Sequence, residues 1–451
     1  MSGNTPDRRT VLAALGSTAS VGAVGCVSSV VDDSNDDAAS LEDTVPTGAW
    51  TQVGYDARNT SHARGVRGPR NDATVAWDAL GDRPVYPPVV DDALYFTEAW
   101  TEGAALSLAS DDGASRWSNA DLPPMRWAPA LHDDTLFAVT RAEGNVVRLH
   151  ALDTATGDQV WVREEGITAS GETTISPGPT VRDDSIYLPS ARGMTACDAT
   201  DGGIKWDAEL NGDWVGMDGG GTRDTIWATP AVTPERVFTF DGNVREGETR
   251  TVHALDRATG DPDWTADLEL TDGWSLMYRP VAGRDHVFVS TLRPDSWRSY
   301  ADDEWEGRER LFALDAASGA VDWEWELPRT TLSPPAFADG TLYVGEWYPD
   351  ADTGRVHAVD PVDGRVTWTY VTETGAVRHP TVAGDTVYAW QGEELAAVAT
   401  DDGSQRWRLP IGDSVAGITR FGQPVVVDGA VYLTANAGRN SDSRLLAVRE
   451  P

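Results

Sequence analysis

Lysine is almost absent. Of 36 basic residues only Lys205 is Lys, and the other 35 are Arg. Cysteine is equally scarce: Cys26 and Cys197 are the only two, which excludes a disulfide framework. The seven His form no metal cluster, since His150, His253 and His357 recur at one position of a repeat. No Gly-rich phosphate loop or nucleophile elbow stands in its proper context. No apolar run is long enough to cross a bilayer as a helix. Basic charge is in deficit, 36 against 72 acids for a net −36, and phosphate binding needs a basic face, so nucleic acid is excluded as a direct partner.

The acids that are present comprise 50 Asp and 22 Glu. Such a surface repels itself in dilute buffer. Salt at about 1 M shortens the screening length to about 3 Å, so the composition reads as that of a protein built for concentrated salt. A hydrophobic fraction of 40% and 19 Trp supply ample material for a folded core.

Residues 1–26 read as an export signal. Arg8-Arg9 precedes a mild Ala/Gly/Val-rich run, the twin-arginine pattern of proteins exported already folded. Ala23-Val24-Gly25-Cys26 is similar to a lipoprotein cleavage box that would leave Cys26 as a lipidated N-terminus. Residues 27–48, with Asp32, Asp33, Asp36, Asp37, Glu42 and Asp43 among Ser and Asn, read as a solvated tether. The expected address is the outer face of the cell membrane, held there by a lipid.

From residue 49 onward one element recurs: apolar-x-Ala-apolar-Asp-x-x-x-Gly-x-x-x-Trp. Clean copies begin at His150, Thr195, His253, Phe312 and His357; degenerate copies keep Gly113…Trp117 and Gly403…Trp407, and an eighth starts at Leu446. Ahead of each copy lies a Pro, then an apolar strand broken by a tight polar turn, as in Pro335–Val344 around Asp339-Gly340. Each repeat therefore supplies four strands, A to D, and eight repeats indicate an all-β, eight-bladed propeller over residues 49–451. The last repeat lacks strand D, and Ala73–Trp77 at the other end is an orphan strand D that would close the ring. Each Trp is expected to pack between blades, burying roughly 150–250 Å², with the Gly four residues earlier serving a tight turn at φ > 0.

The repeat resembles the tryptophan-docking motif of pyrroloquinoline-quinone-type propellers, and Trp50–Thr60 resembles the segment preceding their first blade. The resemblance covers residues 50–451 and implies the fold. For function it implies two branches: quinone-dependent dehydrogenases that use pyrroloquinoline quinone with calcium, and non-enzymatic, BamB-like lipoproteins. Many of the former stack quinone on a disulfide of adjacent Cys; here Cys197 stands alone, and no calcium ligand or catalytic base can be assigned residue by residue. The compact size fits the lipoprotein branch, which implies a binding scaffold with a protein partner, in envelope assembly or as an accessory subunit. A quinone enzyme and a carbohydrate-binding propeller are the alternatives.

All long connections are B–C or D–A and emerge on one face: 207–227, 241–251, 265–277 and 290–310, the last carrying Trp297, Tyr300 and Trp305. An Arg precedes the strand-A Pro in seven blades: Arg83, Arg126, Arg223, Arg279, Arg329, Arg378 and Arg420. Either these guanidiniums converge on the funnel to hold a carboxylate-bearing ligand, or each pairs with a nearby Asp. Arg126, Trp127, Trp227, Arg279, Arg378 and His379 are the funnel candidates for holding such a ligand or a cofactor.

Overall fold

The computed structural model describes residues 45–81, 86–98, 104–123, 125, 127–141, 147–164, 178–190, 193–210, 229–240, 250–268, 276–277, 279–292, 308–328, 331–348, 353–372, 375, 377–411, 420–436 and 443–451. Within them eight separate sheets follow the repeat, one blade each, antiparallel except where His62–Ala63 joins Val377–Ala383 of blade 7 in parallel, and no helix occurs among the described residues. Blade 1 is typical: strands Val89–Val90, Leu94–Glu98, Ala104–Leu108 and Ser115–Asn119 pair in chain order. Its strand A is buried and its strand D alternates exposed and half-buried residues, so A faces the axis and D the rim.

The orphan strand closes the ring. Thr74–Gly81 pairs antiparallel with the last strand, Ser443–Arg449, so both ends of the repeat array share blade 8. In every blade the Trp of strand D lies against one aromatic of strand B, with centroids 5.8–6.1 Å apart; in blade 8 that pair is Trp77 with Tyr432.

The repeat Gly does more than turn the chain. Gly157, Gly202, Gly260, Gly319, Gly364 and Gly403 adopt φ of 69–76°, and the nearest neighbour of each is the Trp of the preceding blade. A Cβ on Gly260 would stand 2.6 Å from Trp206. Most docking Trp also donate their indole N–H to a carbonyl of the next blade's C–D turn, as Trp117 does to Thr154 at 2.8 Å and Trp368 to Thr400 at 2.9 Å. Blade 8 has no C–D turn, because the chain's two ends meet there. Pro69 supplies the missing carbonyl, accepting from Trp407 at 2.9 Å. Among these Trp, Trp206 and Trp407 are buried and the rest are half-buried at the rim.

A–B and C–D turns share one face, tied by main-chain bonds such as Thr154 N–H to Asp134 O and Thr400 N–H to Asp385 O. The long connections leave from the opposite face, as an alternating meander requires.

Candidate functional site

Residues 50–67 do not simply precede the first blade. They run around the axis and touch the blades in order, using main-chain atoms. Trp50 exchanges two hydrogen bonds with Val90, and the Thr51 carbonyl accepts from Leu131 N–H. Next, the Gln52 side chain pairs with Val181. The carbonyls of Ala57, Arg58, Thr60 and Ser61 then accept from Val232, Ala282, Phe337 and Val382, and Arg67 O accepts from Gly429. Each N–H in blades 1–7 belongs to the second residue after a strand-A Pro, which makes Pro88, not Pro87, the equivalent in blade 1. The segment is thus a floor laid across the channel near the tight-turn face.

That floor is self-braced. Asp56 accepts from Arg58 N–H, Thr60 N–H and the Thr60 hydroxyl. Asn59, at φ 59°, donates its amide to the carbonyls of Pro230 and Pro280, both at 3.0 Å, joining blades 4 and 5. Asn tolerates this left-handed conformation better than most residues.

Above the floor the wall is shaped by the strand-A prolines. Proline offers no N–H, so the ladder breaks just before it. In blade 5 strand A is split into Leu276–Met277 and Val281–Ala282, in blade 8 into Arg420–Phe421 and Val425–Val427, and in blade 7 the register shifts between Arg378 and Thr381. His379 takes φ 52° in that bulge, and its N–H donates to Ser333 Oγ at 3.3 Å. The breaks turn Arg279, His379 and Gln423 away from their ladders to meet over the floor.

Arg279 Nη2 donates to Gln423 Oε1 at 2.8 Å and more weakly to Ser61 Oγ at 3.5 Å. Gln423 in turn donates to Ser61 Oγ at 2.7 Å. Gly54, at φ 78°, lies under the guanidinium; a Cβ there would come within 3.1 Å of Arg279 Nε. Burial pushes Arg279 down to about 10, and it pushes His379 down to about 3 with help from the charges of Arg279 and Arg378. His379 is therefore neutral at neutral pH. Arg378 is exposed, its guanidinium 5.6 Å from the centre of the Trp347 ring, an attractive cation–π distance.

Of the residues singled out from sequence, the structure brings together Arg279, Arg378 and His379. Trp127 lies elsewhere: it is 4% exposed within the apolar cluster of Phe137, Leu149 and Leu188, where its carbonyl accepts from Thr97. Cys26, Arg83, Arg126, Arg223, Trp227, Trp297, Tyr300, Trp305 and Arg329 lie outside the described residues, as does the side chain of Arg420. The sequence reading missed Ser61 and Gln423. Gln423 immediately precedes a strand-A Pro, the position that marked Arg279 and His379, and could have been found by the same rule.

The groups described over the floor do not suit the calcium that accompanies quinone in such enzymes. Two guanidiniums flank the floor and oppose a divalent cation. Cys197 is buried in the blade 2–3 core, with its thiol pushed up to about 11 by burial, far from the stacking role such enzymes give to cysteine. At the opposite, tight-turn face a cavity of about 510 Å³ opens between the incoming chain at Val45-Pro46 and the turns bearing Asp91, Asp133, Asp134 and Asp183. The Asp91 carboxyl is held above the usual range by burial and by Asp92 and Asp134.

An eight-bladed ring with tryptophan docking on glycine defines the class, a quinoprotein-type β-propeller. Within that class, the family model described as "Outer membrane protein assembly factor BamB" matches residues 50–245 and 248–449, and the chain belongs to this family. A BamB of Moranella endobia is 26% identical over 238 residues, 50% of this chain and 56% of that protein. The chain therefore spans about half the length of that curated relative. The crystal structure of BamB from Moraxella catarrhalis superposes with a TM-score of 0.55 at 16% identity, covering 83% of this chain and 99% of that one. The quinohemoprotein alcohol dehydrogenase of Comamonas testosteroni gives 0.60 at 16% identity, over 90% and 81%. At such identities the structural likeness shows the fold alone.

Proposed function

We propose that this protein is an exported, lipid-anchored interaction scaffold that works in concentrated salt and presents its long-connection face to a protein partner, in the manner of an envelope assembly factor. The observation that carries this reading is the course of residues 50–67. They enter beside the tight turns and bind all eight blades there. A tether from Cys26 would thus hold the tight-turn face toward the membrane and leave the long connections facing outward. Long loops on a rigid ring are where such scaffolds bind. Membership of the assembly-factor family supports the same reading.

The test has two parts, both on the full chain in a halophilic host. Cys26→Ser should move the protein from the membrane fraction to the soluble one. Photo-crosslinkers at positions 297 and 305 should capture one defined protein, while crosslinkers at the tight-turn positions Asp339 and Asp428 should not. Equal capture from both faces, or membrane retention of the Cys26→Ser chain, would falsify the proposal.

A further inference from the structure

Guanidiniums in this acidic chain usually find carboxylates. Arg70 and Arg406 share Asp385, Arg116 takes Asp92, Arg257 takes Asp183 and Arg444 takes Asp78. Within the floor Arg58 keeps that habit, with Asp56 at 3.6 Å, but Arg279 and Arg378 above it do not. Among the described residues no carboxylate lies within 4.0 Å of Arg279 or of Arg378. Arg279 is held by neutral groups only, Gln423 Oε1 and Ser61 Oγ, and both bonds use Nη2. Its Nη1 makes no hydrogen bond among the described residues, and Nε is buried without a partner. Beside it His379 Nδ1 is also buried without a partner.

A half-buried cation whose Nε is sealed from solvent without a partner, and which meets no counter-ion among the described residues, is costly, and partly satisfied polar groups add to the cost. In a chain with twice as many acids as bases, an Asp or Glu could have met this charge. From this we infer that the floor between blades 5, 7 and 8 is a carboxylate site, with Arg279 as its principal ligand and Arg378 as its outer one. Gln423 and Ser61 fix the plane of the Arg279 fork, which matches a planar carboxylate. His379 stays neutral and adds a hydrogen-bonding nitrogen without a third positive charge, which favours a singly charged carboxylate over a phosphate. The carboxylate comes either from a peptide segment entering the funnel or from a free organic acid. The inference does not depend on the membrane anchor or on the partner proposed above.

Binding is read by tryptophan fluorescence, for which Trp347 beside Arg378 is a built-in reporter, and by calorimetry, with the full chain in concentrated KCl. The probes are a short peptide with a free C-terminus, the same peptide amidated, acetate and inorganic phosphate. The free-acid peptide or acetate should bind saturably, and Arg279→Gln should weaken that binding about tenfold or more, the loss expected for a charge-assisted bond. A peptide acid that outcompetes both its amide and acetate assigns the site to a peptide; acetate binding as well as the peptide acid assigns it to a free acid. Should Arg279→Gln fail to fold, Arg378→Gln on the exposed side serves instead and should weaken binding several-fold. Tighter binding of phosphate than of either carboxylate, equal binding of peptide acid and amide with no response to acetate, or unchanged binding in the folded variants would overturn the inference.

Discussion

The side chain of Gln52 pairs with the backbone of Val181 as a neighbouring strand would: its Nε2 donates to the Val181 carbonyl at 3.1 Å, and its Oε1 accepts the Val181 N–H at 2.7 Å. Elsewhere around the ring a main-chain carbonyl does this work. In blade 3 a side chain replaces that main-chain carbonyl, so there a substitution can unfasten the floor.

Gln52→Leu leaves two buried main-chain groups of Val181 unpaired, at about 1–3 kcal/mol each. Thermal unfolding in concentrated salt should show a clear fall in the melting temperature. A fall no larger than that of an exposed control such as Asn71→Ala would mean that the Gln52 contact contributes nothing.

The Gly–Trp contact between blades separates from backbone strain in a pair of variants. Gly340 has φ 73° and open space where a Cβ would go; Gly260 has φ 76° and the Trp206 ring there. Gly340→Ala should cost about 1 kcal/mol, the left-handed penalty alone. Gly260→Ala should cost about 1–3 kcal/mol beyond that for the clash. Denaturant titration of both variants checks the difference, and equal losses would remove the interblade role.

His253 supplies an acid-sensitive element. Burial pushes its pKa down to about 4 from an unfolded value of 6.5, with Asp267 opposing. The unfolded chain therefore takes up the proton first as pH falls. The stability of the neutral form is complete above about 6.5 and is lost progressively down to about 4, a swing of about 3 kcal/mol at most. His253→Gln should narrow the gap between parent and variant over that window. A gap that stays constant with pH would show that this imidazole does not titrate differently on folding.

The net charge of −36 makes stability depend on salt. Lowering KCl from about 3 M to about 0.1 M lengthens the screening distance to about 10 Å and restores repulsion among the acids. The melting temperature should drop steeply over that range, and circular dichroism would follow it. A flat profile would mean that the acidic surface is not tuned to salt.

Much of this was legible in the sequence because it rests on side chains at fixed spacing. Trp77 was placed in the last blade from the missing strand D, and it packs there on Tyr432. The strand-B aromatics Tyr95, Phe137, Tyr187 and Phe238 recur just as regularly, and the same comparison of repeats would have exposed them. The path of residues 50–67 was not legible, because main-chain carbonyls carry no residue preference. Only Gln52 and Asn59 leave a side-chain trace of it. Offset from the Pro did not decide which funnel candidates reach the axis. Arg279 and His379 stand immediately before the Pro and meet over the floor, while Arg378 and Trp127 both stand one residue further back, Arg378 lying over Trp347 and Trp127 turning into the core.

The ring also orders events in time. The floor segment is synthesised before every blade, but its last partner, Gly429, and the strand that completes blade 8, Ser443–Arg449, come after seven other blades. No chain lacking Ser443–Arg449 can hold the full set of contacts, so the native ring forms only once that strand has left the ribosome. Pairings this distant in sequence form slowly and leave sticky edges exposed in the meantime. A chain with this wiring gains from being kept away from competing partners until its last strand is in place.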